Sequence, residues 1–266
     1  MKVDVFNLEG KPIEKINLPK VFSTPVREDL ILRAFLSTMS KKRQPYGTDV
    51  MAGKRTSAHY HGMRHHRYTM MNREMARLPR LHGKTVPFLY WQARFVPQAK
   101  GGRAAHPPKV EKVWEQKINK KEKRKAIESA IAATALKEFV ERRGHKIGEL
   151  KQLPIVVDDK IQEIKKSKEL VEFLKKIGLN EEIKRIKKKK IRAGKGKARG
   201  RKYKKKIGPL IVITQDKGIV KAAKNLPGCN VCRVKNLSVE LLAPGAMPGR
   251  LTIFTKSALE KLMKKY

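Results

Sequence analysis

Hydrophobic positions divide the chain into a periodic N-terminal part, a long middle stretch without a period, and a periodic C-terminal part. Residues 3–16 predict a pair of short strands. Thr24-Pro25 predicts the N-terminus of a helix, with Pro at the first helical position. Apolar residues three and four positions apart continue that helix to about residue 40. The chain therefore begins with a strand pair and an amphipathic helix.

In the second half, strand-like apolar runs alternate with helical patterns. One apolar band over residues 119–144 predicts a single buried helix, and an amphipathic helix ends at Gly178. The last helix begins with Ser257 and Glu260 at capping-box spacing. Strands are predicted at 153–157, 210–214, 230–234 and 251–255, with a helix around 219–223. Because such alternation is typical of parallel sheets, we predict an α/β fold. We predict a single globular domain of residues 1–40 and 110–266, with a mostly parallel sheet flanked by helices.

Residues 41–109 combine glycines, prolines and polar residues without a hydrophobic period, and their only acids are Asp49 and Glu74. Connections longer than about 12–15 residues are usually functional or disordered. Aromatic residues alternate with arginines here, whereas disordered linkers are poor in aromatics. We predict a long extended basic arm, inserted after the first helix and shaped by a partner. A solvated, disordered insertion is the alternative.

The charge of the chain points to a polyanionic partner. Lys and Arg number 64 against 24 Asp and Glu, which gives a formal net charge of +40. A compact body with that charge repels itself unless counter-charge is present. The sequence shows no apolar run of about 18 residues, no lipidation signal and no signal peptide. We therefore expect nucleic acid rather than a membrane, and a cytoplasmic location.

The segment 187–206, KKKKIRAGKGKARGRKYKKK, is too cationic to form a core and suits phosphate binding by counterion release. A nuclear-localisation or heparin-type patch is the alternative. Its glycines, Gly194, Gly196 and Gly200, do not form a dinucleotide-binding fingerprint, because their spacing is wrong and they precede a strand. The sequence contains no Walker motif and no activated nucleophile. We expect no enzyme activity, no cofactor and no small-molecule substrate.

Histidines and cysteines supply two further candidates for chemistry. His59, His61, His65 and His66 cluster in the arm, but neighbouring arginines disfavour a bound cation, so we expect RNA contacts and no metal. Cys229 and Cys232 have redox or zinc spacing without a second pair. We expect both to be small apolar core residues.

Several motifs resemble the fourth large-subunit ribosomal protein family of the archaeal and eukaryotic type. The strongest are RAGKGKAR at 192–199 and VPQAKGGRAAHPP at 96–108. Further likenesses occur in the same order at 22–27, 53–56, 121–135, 153–158, 243–245 and 248–251. The resemblance implies a structural, RNA-binding constituent of the large ribosomal subunit that supports assembly. It also implies an arm that extends toward the peptide exit tunnel. The implied partners are large-subunit ribosomal RNA and neighbouring ribosomal proteins.

The candidate RNA-binding residues are basic side chains of these two segments, because Arg offers paired hydrogen bonds to phosphate and Lys offers a point charge. The resemblance assigns phosphate contacts to Lys54, Arg55, Lys100, Arg103, Lys195, Lys197 and Arg199. The composition of the segments adds Arg43, Arg64, Arg67, Arg73, Arg77, Arg80, Arg94, Lys109, Arg192, Arg201, Lys202 and Lys204.

Limited proteolysis tests whether the two segments bind RNA. Trypsin should cleave the isolated protein mainly within 41–109 and 187–206, because both are rich in exposed Lys and Arg. Added ribosomal RNA should protect both segments, as followed by mass spectrometry of the fragments. Equal cleavage with and without RNA would show that neither segment binds.

Overall fold

The computed structural model describes residues 2–148, 150 and 152–265, and the chain forms two compact units. Unit 1 comprises residues 1–42 and 115–266, and unit 2 comprises residues 43–114. Each unit is described separately below.

Unit 1 contains strands and helices in alternation. Its strands are β1 (Lys2–Phe6), β2 (Pro12–Asn17), β3 (Ile155–Val157), β4 (Lys190–Ile191), β5 (Tyr203–Lys204), β6 (Leu210–Ile213), β7 (Asn230–Arg233) and β8 (Thr252–Thr255). Its α-helices are α1 (Glu28–Lys41), α2 (Lys120–Ala132), α3 (Lys137–Arg142), α4 (Ser167–Lys176), α5 (Asn180–Lys187), α6 (Ile219–Lys224), α7 (Val239–Leu242) and α8 (Lys256–Lys265). The predicted α/β class is confirmed.

Six of these strands form one sheet in the order β2-β1-β3-β8-β6-β7. The strand pairs β1–β3, β3–β8, β8–β6 and β6–β7 are parallel, and only the N-terminal pair β1–β2 is antiparallel. Helical crossovers connect the parallel strands, as such pairing requires. The predicted mostly parallel sheet flanked by helices is therefore confirmed.

Alternating side chains of the central strands pack into two separate hydrophobic cores, one on each face of the sheet. Val212 and Phe254 belong to the core that contains residues of α1, α2, α7 and α8. Ile211 and Ile253 belong to the core that contains residues of α3, α4, α5 and α6. Successive residues of a strand point to opposite faces, so strands buried on both faces need continuous apolar runs. This is why β6 reads Leu-Ile-Val-Ile.

Arg250 is a buried cation that joins the ends of three segments. Its guanidinium donates hydrogen bonds to the carbonyls of Gly208 (2.9 Å), Gly228 (3.1 Å) and Leu241 (2.9 Å), and to Asn230 Oδ1 (2.6 Å). Burial lowers the pKa of Arg250 to about 10, so the group remains charged at neutral pH. These acceptors satisfy a charge that would otherwise be costly to bury.

Helix boundaries differ from the sequence prediction at two places. Helix α1 begins at Glu28, not at Thr24-Pro25, because the Thr24 hydroxyl donates to the carbonyl of Val21 at 2.7 Å in a preceding turn. The band predicted as one helix over 119–144 is two helices, α2 and α3. The break occurs where Thr134 donates to the carbonyl of Ile131 at 2.7 Å and closes the last turn of α2.

Two further details of the C-terminal half also differ. Helix α8 follows β8 directly, so Ser257 is not an N-cap, and its Oγ instead donates to Asp159 Oδ1 at 2.5 Å. Helix α5 was not predicted, because its Lys and Arg residues lead directly into the basic segment 187–206 and resemble it in composition. Its buried Ile183 and Ile186 are three residues apart, which is the helical spacing.

Unit 2 is built mainly from loops. Within residues 43–114, all of which are described, regular structure is limited to one 3-10 turn, Pro87–Leu89, and two isolated bridges. The bridges pair His59 with Arg80 and Arg80 with Ala93. Met70 and Leu81 are its buried apolar side chains. Unit 2 therefore depends on hydrogen bonds and ring contacts more than on a hydrophobic core.

We expect unit 1 to fold without unit 2. Gln116 N–H donates to Ser40 Oγ at 2.9 Å, so the chain segments that border unit 2 lie side by side. Both hydrophobic cores lie wholly outside residues 43–114. Replacing 43–114 with a short Gly/Ser linker should preserve a cooperative thermal transition, measured by circular dichroism against the full chain. A gradual, non-cooperative loss of signal would contradict this expectation.

Candidate nucleic-acid interface

The basic segment of unit 1 forms a two-stranded antiparallel ribbon, which we name the basic ribbon (residues 187–206). Strands β4 and β5 pair Lys190 with Lys204 and Ile191 with Tyr203. Arg192 closes the loop above them, because its N–H donates to the carbonyl of Lys202 at 2.8 Å and its Nε donates to that of Arg201 at 3.0 Å. The sequence analysis did not predict this ribbon.

The ribbon carries an uninterrupted positive charge. Thirteen of its twenty residues are Lys or Arg and none is acidic. The predicted contacts Lys195, Lys197, Arg199, Arg201, Lys202 and Lys204 are exposed, whereas Arg192 is half-buried. Lys189 and Lys202 place their ammonium groups 5.4 and 5.7 Å from the centre of the Tyr203 ring. The ribbon thus presents many free cations and one aromatic face, a combination suited to RNA.

A buried ion pair anchors the base of the ribbon. Arg185, on α5, donates to both carboxylate oxygens of Glu182 at 2.7 Å. The same guanidinium donates to the carbonyl of Ile207 at 2.5 Å, and Lys206 Nζ donates to the carbonyl of Arg185 at 3.0 Å. Glu182 therefore holds Arg185, which joins the chain just before the ribbon to Lys206 and Ile207 at its end.

The Glu182 carboxylate has four hydrogen-bond contacts although it is fully buried. Besides Arg185, it accepts from the N–H of Lys146 at 3.1 Å and lies 2.7 Å from His145 Nδ1. Burial raises the pKa of Glu182, but the hydrogen bonds from Arg185 and His145 outweigh that effect and lower it to about 2. The carboxylate is therefore charged at neutral pH and holds the arginine in one geometry.

A basic cleft of about 740 Å³ adjoins the ribbon and the edge strand β7. Its lining includes Lys188, Lys189, Lys204, Lys206 and Asn230. The sequence analysis did not find this cleft, because β7 lies far from the ribbon along the chain. The ammonium groups of the lysines that line the cleft suit a phosphate.

Unit 2 also combines positive charge with exposed rings. It contains fourteen Lys and Arg against three Asp and Glu, an excess of eleven positive charges. Arg43 and Lys112 lie 4.1 and 4.4 Å from the centre of the Trp114 ring, and Tyr46 stacks on that ring at 5.4 Å. Cations held over aromatic faces leave their hydrogen-bond donors free at the edge. A phosphate contact of Arg43 stays a prediction.

Two other pairs in unit 2 repeat this arrangement. Arg67 lies 5.2 Å from the centre of the Tyr68 ring, and Arg73 lies 4.5 Å from that of Trp91. Phe88 has 77% of its surface exposed. Exposed aromatic rings among guanidinium groups can stack on unpaired bases. The remaining predicted contacts that are exposed in unit 2 are Lys54, Arg55, Arg64, Arg77, Lys100 and Lys109.

Some predicted contacts in unit 2 are engaged within the protein. Arg55 pairs with Asp49. Arg80 donates to the carbonyls of Ala76 (3.0 Å) and Trp91 (2.8 Å), and Arg94 donates to that of Lys100 at 3.0 Å. These side chains stabilise loops, so they offer fewer donors to RNA than the exposed arginines do. The half-buried Arg103 also packs closely, as described next.

Gly53 permits the two flanks of unit 2 to pack against each other, and Gly102 permits a tight loop within one of them. Gly53 has φ +72°, and a Cβ there would lie 2.6 Å from the backbone of Arg103. A Cβ on Gly102 would lie 1.9 Å from the carbonyl oxygen of Val96. Only glycine allows such approaches. The flanking cations Lys54 and Arg103 are thereby held on neighbouring segments.

The two cysteines are core residues, as predicted. Cys232 belongs to one hydrophobic core and Cys229 to the other, and both thiols are free. Burial raises the pKa of Cys229 to about 12 and that of Cys232 to about 11, so both stay protonated at neutral pH. Protonated, buried thiols are poor nucleophiles and poor metal ligands.

Comparison with known proteins identifies the family. The profile described as the ribosomal protein L4/L1 family matches residues 16–265. The chain belongs to this family. It is also 49% identical to the large ribosomal subunit protein uL4 of Methanosphaera stadtmanae, with 98% of this chain and 96% of that protein covered. It is 48% identical to the proteins of the same name from Methanocaldococcus jannaschii, over 100% of both chains, and Archaeoglobus fulgidus, over 98% of both.

Family membership confirms the resemblance inferred from the motifs. The family is one of structural ribosomal proteins and not of enzymes, in agreement with the prediction. Across the described residues, every helix falls short of the length or the apolar character needed to cross a bilayer.

Replacing Glu182 with Gln should destabilise unit 1 by about 3–5 kcal/mol at pH 7, because it leaves Arg185 uncompensated. The pKa of the Glu182 carboxyl is lower in the folded protein than its ordinary value of 4.5. The charged carboxylate therefore contributes its full share to the free energy of unfolding above pH 4.5, and that share is lost as the pH falls toward about 2. The difference between wild type and E182Q, measured by urea unfolding, should therefore narrow by roughly 2 kcal/mol between pH 7 and pH 3.

The matched control is Glu181→Gln, which removes an exposed carboxylate from the adjacent residue. Its effect should stay within about 0.5 kcal/mol at both pH values. Equal effects of the two substitutions would show that the buried ion pair does not anchor the ribbon.

Proposed function

We propose that this chain is a structural constituent of the large ribosomal subunit that binds ribosomal RNA and supports subunit assembly. The observation that carries the proposal is the family match over residues 16–265, which includes both basic segments. The curated relatives are named as large-subunit proteins and are matched over nearly their whole length. The partners that follow are large-subunit ribosomal RNA and neighbouring ribosomal proteins.

The basic ribbon supports RNA binding by charge and by rigidity. Lys195, Lys197 and Arg199 are exposed at the loop of the ribbon, and the Glu182–Arg185 pair fixes its base. Cations held in place lose less conformational entropy on binding than cations on a flexible tail. We assign phosphate contacts to these three residues and to the other predicted cations of the ribbon.

Residues 41–109 form the second part of the proposed RNA interface. Exposed Arg43, Arg67 and Arg73 each accompany an aromatic ring, which supports binding to folded RNA with unpaired bases. We propose that this segment serves as an extended arm among RNA helices and reaches toward the peptide exit tunnel. A small apolar core, limited to Met70 and Leu81, agrees with a segment that RNA helps to order. We also propose a cytoplasmic location, because the chain would function as part of the ribosome.

Salt dependence of RNA binding tests the ribbon assignment. The triple variant K195A/K197A/R199A should bind large-subunit ribosomal RNA more weakly than wild type at moderate salt. If each residue neutralises one phosphate, the slope of log affinity against log salt should become shallower by about 2–3. Filter binding over a series of salt concentrations gives both quantities.

The control triple variant K168A/K175A/K176A removes the same charge from exposed positions of α4. Its salt slope should stay close to that of wild type, because α4 is not part of the proposed interface. If both variants change the slope equally, the interaction reflects net charge and not the ribbon. Sedimentation of the full chain with large subunits at moderate salt separates a ribosomal constituent from a free RNA-binding regulator.

A further inference from the structure

Three histidines from two segments of unit 2 converge at one place. His59, His61 and His82 each have a ring nitrogen within 4.8 Å of the corresponding nitrogens of the other two. Ring centres are 4.3 Å apart for His59–His61 and for His59–His82, and 4.7 Å apart for His61–His82. His82 was not among the histidines singled out in the sequence, because it lies twenty-one residues after His61. Folding therefore builds a cluster that spacing alone does not show.

The nitrogens of this cluster are available for a ligand. The Nε2 atoms of His61 and His82 are buried and make no hydrogen bond to any described residue. Buried polar atoms without a partner are uncommon and indicate a missing water, ion or ligand. His59 Nδ1 lies 2.9 Å from the carbonyl oxygen of Ser57. Donation to that carbonyl leaves Nε2 of His59 free and orients the ring, as is typical of metal-binding histidines.

The surrounding backbone holds the three side chains in place. Arg80 N–H donates to the carbonyl of His59 at 3.2 Å, and Met70 N–H donates to that of His61 at 3.1 Å. The ring of Tyr68 stacks on that of His82 with centres 4.4 Å apart. A site whose ligands sit on tied segments needs little rearrangement to bind.

We propose that His59, His61 and His82 form a binding site for a divalent transition-metal ion, and that zinc is the ion that fits it. Three neutral imidazoles suit zinc, whereas calcium and magnesium prefer oxygen ligands. A set of three histidines leaves one tetrahedral position for water. Zinc–nitrogen bonds of about 2.0–2.1 Å put the ligand nitrogens roughly 3.3 Å apart. The nitrogens, which now lie within 4.8 Å of one another, would approach by up to about 1.5 Å on binding.

Two neighbouring features bear on the strength of this site. The ring of His66 stacks on that of His61 with centres 4.2 Å apart, and its Nδ1 accepts a hydrogen bond from Tyr68 N–H at 3.3 Å. His66 therefore supports His61 and is not counted as a ligand. The exposed Arg64 and Arg67 reduce the affinity of this site for a cation, and dissolved salt weakens their repulsion.

A bound ion would stabilise the loop of unit 2 between residues 61 and 82, whose buried apolar side chains are Met70 and Leu81. It would link residues 59–61 to residue 82 directly, across a loop closed so far by backbone hydrogen bonds and by the burial of Met70 and Leu81. Metal binding to a folded site adds its binding free energy to the stability of that fold. The inference concerns unit 2 alone and does not depend on RNA binding.

Titration of the full chain with metal tests the proposal. The protein, without an added histidine tag, is stripped with a chelator and titrated in the absence of RNA with Zn²⁺ by calorimetry and with Co²⁺ by visible absorption. Wild type should bind one ion per chain and give the intense absorption of four-coordinate Co²⁺. H61Q and H82Q should each weaken binding more than about 100-fold, beyond the loss typical of an outer hydrogen-bond partner.

The matched control is His106→Gln, which removes an exposed histidine of the same unit and should bind as wild type does. A second measurement on wild type guards against misfolding of the variants. In its NMR spectrum, Zn²⁺ should shift the ring protons of three histidines and leave that of His106 unchanged. Wild type that binds no ion, or H61Q and H82Q variants that bind as tightly as wild type, would overturn the proposal.

Discussion

Mutual repulsion among sixty-four basic side chains is the constraint around which this protein is built. The sheet and its helices bury mostly apolar residues, and hydrogen bonds compensate the buried charges of Arg250 and Glu182. Arg250 is surrounded by carbonyl and amide oxygens, and Glu182 is bound by Arg185 and His145. The unpaired positive charge is concentrated in the basic ribbon and in unit 2, where solvent or phosphate can neutralise it.

The same buried acid links the hydrophobic core to the proposed interface. Glu182 lies on α5 beside the buried Ile183 and Ile186. Its partner Arg185 donates a hydrogen bond to the carbonyl of Ile207, directly after the last residue of the ribbon. A change in the core near α5 would therefore alter the presentation of Lys195 and Arg199 without touching them. The proposed RNA interface is thereby tied to the stability of unit 1 through one side chain.

The sequence predicted the fold class well because the strands of a sheet buried on both faces are continuous apolar runs. The alternation of strands and helices and the burial of the cysteines follow from patterns that act over a few residues, whereas the division into two hydrophobic cores was not predicted. The ribbon, helix α5 and the cleft beside β7 did not follow from such patterns. High charge hid the helical spacing of Ile183 and Ile186, and Glu182–Arg185 at three-residue spacing was the available signal.

The histidine cluster was missed for a related reason. His59 and His61 are two residues apart, but His82 joins them because the segment around Arg80 pairs with that around His59. The proposed metal ligands thus come together through contacts between segments that are distant along the chain. The same holds for the close approach of Gly53 to Arg103.

The position of β8 in the sheet has a consequence for cooperativity. This strand, residues 252–255, lies between β3 and β6, so it joins the strands β2, β1 and β3 on one side to β6 and β7 on the other. Loss of the pairing along β8 would divide the sheet into two parts and leave the edges of β3 and β6 unpaired, and unpaired edges are sites of aggregation.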